Sequence, residues 1–112
     1  MRALLVGSTL LALLQGSSSA GALAGEVVKV SINDLAFAPT EVTVRVGDTV
    51  EWDNADFVEH TATAKDGDMD VAIPAGKSGR VELSHPGTIA YYCRFHPNMT
   101  GTIKVLDADQ PH

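Results

Sequence analysis

The stretch TIAYYCRFHPNMTGTIKV occupies residues 88–105 and consists of two alternating segments on either side of a short loop. In the first segment Ile89, Tyr91 and Cys93 share one face, and the second segment repeats the pattern from Ile103 onward. A period of two is typical of a strand that buries one face. The stretch therefore predicts two neighbouring strands joined by a tight loop, with Cys93 on the core side where the first strand ends.

The same period of two recurs through much of the chain, and no helical period is sustained. The alternating apolar residues are Val28, Val30 and Ile32; Val42, Val44 and Val46; Val50 and Trp52; and Val81 and Leu83. Turn-forming pairs separate these runs, namely Asn33-Asp34, Gly47-Asp48, Asp66-Gly67, Ala75-Gly76 and Pro86-Gly87. Seven or eight short strands of this kind predict an all-β protein, an antiparallel Greek-key β-sandwich.

Composition excludes several classes of protein. The chain has 112 residues, enough for one domain, and its 8 Lys+Arg against 14 Asp+Glu give a net charge of −6. The acidic balance and the lack of a Lys/Arg cluster argue against a nucleic-acid binder. The single cysteine, Cys93, excludes an intramolecular disulfide framework and a multi-cysteine zinc site.

The first residues of the chain have the pattern of an export signal. Arg2 supplies a positive charge, residues 3–14 form an apolar run too short for a comfortable membrane span, and Ala22 and Ala24 match an A-x-A cleavage site. This interpretation gives a signal peptide over 1–24, one folded domain over 25–106, and a polar tail over 107–112. We expect a periplasmic or extracellular protein with no membrane span after cleavage. A lone thiol in an oxidising compartment must be buried, bound to something or reactive.

Three chemically distinctive side chains follow one another at intervals of three in the loop after the first strand: Cys93, His96 and Met99. Three residues of chain span at most about 10–11 Å, so all three side chains can reach one ion. A thiolate and a thioether are soft ligands and an imidazole is intermediate, which suits copper better than magnesium, calcium or manganese. A His₂Cys set with a weak axial Met is the donor arrangement of blue copper sites, so one further histidine is required.

Three histidines are candidates for that position. His85 precedes the strand that carries Cys93, which puts it at the opposite end of that strand, about 16 Å away. His112 belongs to the tail. His60 stands at the start of a short strand pattern over residues 61–64, and we expect it to be the fourth ligand.

Residues 26–106 resemble a cupredoxin, the family of small blue copper proteins, and are most similar to its amicyanin-like group, in which the C-x₂-H-x₂-M loop is short. The segments 51–54 (Glu-Trp-Asp-Asn) and 86–88 (Pro-Gly-Thr) add to the resemblance. It implies the eight-stranded Greek-key sandwich, one type 1 copper ion per chain, and one-electron transfer rather than catalysis. The residues that match the family's ligand motif are His60, Cys93, His96 and Met99.

The resemblance also implies a transient redox partner, such as a c-type cytochrome or a periplasmic dehydrogenase, docked on an apolar rim around the electron port at His96. We expect the protein to be a monomer. Two positions depart from the amicyanin-like pattern: Thr61 stands where Asn is common, and Phe95 stands where Pro is common. The candidate rim residues are Phe95, Pro97, Phe37 and Ala38, although Phe37, like Trp52, is also a candidate for the core.

Other interpretations of the same residues remain open at this point. Cys93 taken alone is a buried structural thiol, and with His96 it is a candidate nucleophile. An exported copper carrier or scavenger would keep the metal without electron transfer, and a binding module would have no metal at all. A blue thiolate-to-copper band and its loss on substitution of Cys93 separate the copper-binding alternatives from the metal-free ones. Rapid reduction by a c-type cytochrome or a dehydrogenase separates an electron carrier from a scavenger.

Acidic residues are concentrated between positions 48 and 70. Eight of the 14 fall there, and Lys65 is the only opposing charge. One of them, Glu59, is adjacent to His60. This density predicts either a field that steers a basic partner or an ordinary solvated surface. The run from Asp66 to Asp70 lacks the Gly and Glu that a calcium loop requires and is interpreted as a solvated turn.

Overall fold

The computed structural model describes residues 25–110, and this part of the chain forms nine strands and no helix. In chain order the strands are β1 (Val27–Asn33), β2 (Ala36–Ala38), β3 (Glu41–Arg45), β4 (Thr49–Asn54), β5 (His60–Ala64), β6 (Asp70–Ile73), β7 (Ser78–Glu82), β8 (Gly87–Tyr92) and β9 (Thr100–Leu106). The all-β sandwich predicted from the sequence is confirmed. The predictions for residues 1–24 and for His112 lie outside the described residues.

The strands are arranged in two sheets, with the orders β2-β1-β4-β7 and β3-β9-β8-β5-β6. Most neighbours are antiparallel, but β1 and β4 pair in parallel, as do β3 and β9. The first parallel pair arises because the chain leaves the first sheet after β2, adds β3 to the second sheet and returns as β4 beside β1. Alternation in the sequence does not distinguish these pairs, because both kinds of strand have a period of two.

Two strands were not predicted from the sequence. β2 has three residues, too few for a periodic signal, and it pairs with β1 across a two-residue turn. β6 begins at Asp70, the last residue of the run interpreted as a solvated turn, and pairs with β5. Both are held by pairing with a longer neighbour, which a pattern within one segment does not record.

An aromatic cluster joins the two sheets. Trp52 on β4 and Phe37 on β2 both contact Tyr91 on β8, with ring centroids 5.5 and 4.8 Å apart in edge-on geometry. The buried Trp52 Nε1–H donates to the Tyr91 hydroxyl at 3.2 Å, which satisfies a polar group that burial would otherwise leave unpaired. Opposite Tyr91 lies Gly101, where a Cβ atom would come within 2.4 Å of the tyrosine ring. The cluster therefore fixes β8, the strand that leads into Cys93.

No helix in the described part of the chain could cross a membrane.

Candidate metal centre

The structure brings His60, Cys93 and His96 together at one end of the sandwich. His60 is the first residue of β5, Cys93 directly follows β8, and His96 lies in the loop between β8 and β9. One donor atom from each lies within 4.8 Å of the other two. The Cys93 sulfur is 3.7 Å from His60 Nδ1 and 3.8 Å from His96 Nδ1, and the two imidazole rings meet edge-on at 5.1 Å.

These separations fit a single ion of the kind that the donor set selects. Two ligand atoms that lie about 2.0 and 2.3 Å from one ion, at an angle near 120°, are about 3.7 Å apart. Both sulfur–nitrogen distances agree with that value. One thiolate with two imidazoles is the trigonal set preferred by copper in electron-transfer sites. The residues present therefore fit a copper ion.

The loop from Cys93 to Met99 is closed on itself by backbone hydrogen bonds. The His96 N–H donates to the Cys93 carbonyl at 3.3 Å, and the Met99 N–H donates to the His96 carbonyl at 2.8 Å. The Cys93 N–H donates to the Met99 carbonyl at 3.1 Å, so the first and last residues of the loop are paired. Met99 is buried and His96 is half-buried. The structure therefore holds the predicted ligand Met99 in the same compact loop as Cys93 and His96.

The fully buried His60 is oriented by a carboxylate. Its Nε2 lies 2.9 Å from Asp56 Oδ2, on the opposite side of the ring from the nitrogen that faces the sulfur. Asp56 in turn accepts the N–H groups of Asp34 and Leu35, at 2.8 and 3.0 Å. Hydrogen bonds from Leu35 first, and from His60, lower the pKa of Asp56 below its usual value. A carboxylate at this position fixes the ring orientation and leaves Nδ1 available as a ligand.

The same carboxylate holds an unusual turn. Asp34 and Leu35 join β1 to β2 with φ angles of 54° and 60°, the left-handed region that a leucine rarely adopts. Asp56 accepts both of their N–H groups, which compensates for this backbone cost. The turn between β1 and β2 is thus tied to the residue that orients His60.

A buried amide shapes the loop that leads into His60. The side-chain nitrogen of Asn54 donates to the carbonyls of Val58 and Ile73, at 2.9 and 3.1 Å, and lies 3.3 Å from that of Pro74. Its oxygen accepts the N–H of Asp56 at 2.9 Å. Sequence reasoning missed both Asn54 and Asp56 as parts of the site. An acidic residue four positions before a candidate ligand is the signal that would have indicated Asp56.

Thr61 contacts the sulfur from the side of β5. Its N–H donates to Cys93 Sγ at 3.4 Å, and its hydroxyl oxygen accepts the Arg94 N–H at 2.8 Å. At the position where Asn is common in amicyanin-like sequences, this chain therefore uses the hydroxyl of Thr61 to accept the backbone N–H of Arg94. Thr61 thus contacts both Cys93 and Arg94, which are adjacent in the chain.

Other sequence-predicted residues lie away from this site or have other partners. His85 precedes β8 and lines a cleft with Asp66 and Asp68, in agreement with its exclusion as a ligand. The interpretation of Phe37 as part of an apolar rim is wrong, because only 2% of its surface is exposed and it packs against Tyr91.

The acidic run from 48 to 70 is mostly engaged in the structure. Glu51 pairs with Arg80 at 2.7 Å and with Lys29 at 3.7 Å. Four further acids of this run accept hydrogen bonds or form a salt bridge through their side-chain oxygens: Asp48, Asp53, Asp56 and Asp70. A hydrogen bond leaves the charge of a carboxylate in place, and the salt bridges with Lys or Arg involve Glu51 and Asp70, so the steering of a basic partner stays a prediction.

Comparison with known proteins gives the class and then the group. A family model described as a cupredoxin-like domain matches residues 4–105. Amicyanin-alpha of Methylorubrum extorquens is 33% identical over 83 residues, which covers 69% of this chain and 70% of that protein. Amicyanin of Paracoccus denitrificans is 29% identical over 93 residues, covering 78% of this chain and 71% of that one. A reduced Cu(I) form of an amicyanin mutant at pH 4 has a TM-score of 0.64 and 26% identity, over 70% of this chain and 81% of that one.

The chain belongs to the cupredoxin family. Within the family it is amicyanin-like, as its sequence predicted. Family membership and the converging His-Cys-His donors together confirm the prediction of one copper ion per chain.

The bond between Asp56 and its N–H donors predicts a pH-dependent stability in the copper-free protein. Because folding lowers the pKa of Asp56, its contribution is present above the unfolded pKa and is lost as pH falls through the folded pKa. Asp56→Asn places an NH₂ group against N–H donors and is expected to lower the free energy of unfolding by about 1 kcal/mol at neutral pH. Urea unfolding of wild type and variant, from about pH 7 down to about pH 3, measures the difference.

The control is Asp68→Asn, which neutralises an exposed carboxylate on the turn before β6. The gap between wild type and Asp56→Asn should close at acid pH, because both proteins then carry an uncharged side chain at position 56. A gap that stays constant over the whole range contradicts this account.

Proposed function

We propose that the protein is a carrier of single electrons in which His60, Cys93, His96 and Met99 hold one copper ion. The observation that carries the proposal is the approach of the Cys93 sulfur to two imidazole nitrogens, at 3.7 and 3.8 Å. Copper supplies a one-electron Cu(II)/Cu(I) couple when it is bound. The buried thioether of Met99, in the same closed loop, would supply a fourth and weaker donor to the ion.

The protein's own residues hold the donor atoms rigidly. Asp56 fixes the ring of His60, the loop hydrogen bonds fix His96 relative to Cys93, and Thr61 donates to the sulfur. Donors held in place in both oxidation states need little rearrangement when an electron arrives or leaves. His60 and Cys93 are fully buried, so water and substrates are kept from the sulfur. These features favour electron transfer over catalysis.

His96 is the point at which an electron enters and leaves. It is half-buried, whereas His60 is fully buried, so only the ring of His96 reaches the surface. Its neighbours Phe95 and Pro97 are exposed. A partner that packs on these apolar side chains comes close to a ring that directly binds the metal.

The apolar side chains at this end extend beyond the loop of His96. The sequence offered other candidates for the apolar rim besides Phe95, and we now define the rim by exposure as Leu35, Phe57, Val58 and Phe95, which are 49%, 99%, 46% and 51% exposed. All four lie in segments that hold ligands or orient them. Residues 25–110 expose one more large apolar side chain, Val27. It begins β1, at the opposite end of that strand from the turn that contains Leu35. The rim supports transient docking of a redox protein over a small area.

The acids do not surround this rim evenly. Asp34 and Glu59 are exposed beside it, whereas Asp66 and Asp68 lie in the turn before β6, and Arg94 adds a positive charge next to Phe95. We propose a partner that binds mainly through apolar contact, such as a c-type cytochrome or a dehydrogenase, with charge as a secondary contribution.

We also propose that the protein is exported after removal of residues 1–24. The support is the charged residue, apolar run and A-x-A site of that segment, together with a site whose lone thiol suits an oxidising compartment when copper binds it. Mass spectrometry of the protein recovered from the envelope fraction is expected to give an N-terminus at Gly25. Recovery of the full-length chain from the cytosol instead would refute export.

Copper titration of the purified protein tests the ligand assignment. One equivalent of Cu(II) should produce an intense visible band from thiolate-to-copper charge transfer. Cys93→Ser should abolish this band, whereas Met99→Leu should retain it and shift the reduction potential, because an axial ligand tunes the metal without supplying the chromophore. His60→Ala should also lose the band.

The matched control for the histidine variant is His85→Ala, which removes an exposed histidine outside the site. It should leave both the band and the stoichiometry unchanged. Survival of the band in Cys93→Ser, or its loss in His85→Ala, would exclude the assignment.

Stopped-flow oxidation of the reduced protein by a c-type cytochrome tests the docking surface. Phe95→Ser is expected to lower the second-order rate constant about fivefold, since truncation of a contact residue typically costs about 1 kcal/mol. Val27→Ser, an equally apolar exposed site at the other end of β1, is the control and should leave the rate unchanged. Equal rates for the two variants, at low and at high salt, would show that the rim is not the contact.

A further inference from the structure

A closed ring of hydrogen bonds lies next to Cys93, on the side of β5 and β6. The Arg94 N–H donates to Thr61 Oγ1 at 2.8 Å, and Thr61 Oγ1 lies 2.9 Å from Thr63 Oγ1. Thr63 Oγ1 lies 2.7 Å from Asp70 Oδ1, which also accepts Arg94 Nε–H at 3.2 Å. The path therefore begins and ends on Arg94, the residue that follows Cys93.

The direction of the hydrogen bonds in this ring is fixed by its carboxylate. An ionised Asp70 only accepts, so the single hydroxyl proton of Thr63 is donated to it. The Thr63 oxygen then accepts from the Thr61 hydroxyl, whose own oxygen accepts from the Arg94 N–H. Hydrogen bonds from Thr63 first, and from Arg94, lower the pKa of Asp70 below its usual value. Bonds aligned in one direction polarise and strengthen one another.

The ring is partly buried, which increases its value as a support. Thr61 is fully buried and Thr63 is 8% exposed, whereas Asp70 and Arg94 lie at the surface. Inside the protein each hydroxyl requires a partner, and the ring supplies one for every donor and acceptor it uses. The ring also crosses three structural elements, because Thr61 and Thr63 belong to β5, Asp70 begins β6 and Arg94 follows β8.

The ring acts on the metal site through Thr61. While the Thr61 hydroxyl holds the Arg94 N–H, the Thr61 N–H donates to Cys93 Sγ at 3.4 Å. A donor on a ligating sulfur stabilises its more negative, reduced-state charge, which favours Cu(I). Loss of the ring would let the Cys93–Arg94 segment move away from Thr61 and weaken that donation.

We propose that Thr63 and Asp70 are positioning residues of the metal centre, which act through Thr61 and Arg94 to hold the Cys93 sulfur against the β5 backbone. This inference rests on the proposed function only for its effect on the copper ion. The positioning itself is a property of the copper-free chain, so the two fail separately.

The first test uses the copper-free protein. Thr63→Val keeps the shape of a nearly buried side chain and interrupts the ring at a residue that does not contact a ligand. The amide hydrogen-exchange rate of Arg94 is expected to rise about fivefold, because its acceptor loses orientation. Thr63→Ser restores the hydroxyl and should return the rate to the wild-type value.

The second test uses the copper-loaded protein and the surface end of the ring. Thr63→Val should lower the reduction potential by about 40 mV, which is a fivefold change in the equilibrium at 59 mV per tenfold. Asp70→Ala should lie below Asp68→Ala by a similar amount, because both variants lose one negative charge and only Asp70→Ala interrupts the ring. Thr63→Val and Asp70→Ala should also shift the thiolate-to-copper band. Asp68→Ala removes the same charge two residues earlier, outside the ring, and is the control for a purely electrostatic effect.

The outcomes are distinct. Unchanged Arg94 exchange in Thr63→Val, or equal potential shifts in Asp70→Ala and Asp68→Ala, would overturn the positioning role. Absence of any blue band in the wild-type protein would overturn the proposed function and leave the exchange result to decide the role of the ring alone.

Discussion

The antiparallel pairing of β5 with β8 is the constraint on which the metal centre depends. Its register sets Thr63 opposite Tyr92, which brings the first residue of β5, His60, beside the residue that follows β8, Cys93. A slip of one residue would turn every side chain of β5 to the other face and remove His60 from the sulfur. The aromatic contacts of Tyr91 with the other sheet hold β8 in place, so a packing interaction between sheets protects the alignment of two ligands.

Buried polar groups complete what the strand register begins. Asn54, Asp56 and Thr61 each satisfy backbone groups in irregular segments, and each also contacts a ligand or the loop that presents one. Irregular backbone is costly to bury unless its N–H and C=O groups are paired. The same residues therefore satisfy the backbone N–H and C=O groups of the loops and hold the donor atoms of the site in place.

The sequence predicted the parts of the structure that depend on local pattern. Alternation indicated the sandwich and placed Cys93 on the core face, and the spacing of Cys93, His96 and Met99 indicated a soft metal site. The elimination of His85 also agrees with its position before β8. What alternation could not supply were the parallel pairs and the acceptor role of Asp56, because each depends on residues more than twenty positions away. The short strand β2 was missed for another reason, since its three residues are too few to show a period. For the same reason Phe37 was considered for the rim, although its contact with Tyr91 buries it.

The difference in exposure between the two histidines has a consequence for kinetics. Among the described residues His60 is fully buried, whereas part of the His96 ring reaches the surface. Under the proposed function a reductant and an oxidant would therefore compete for the same surface at His96, and each would have to depart before the other binds. Turnover would then follow an alternating order, and a large excess of either partner would slow it.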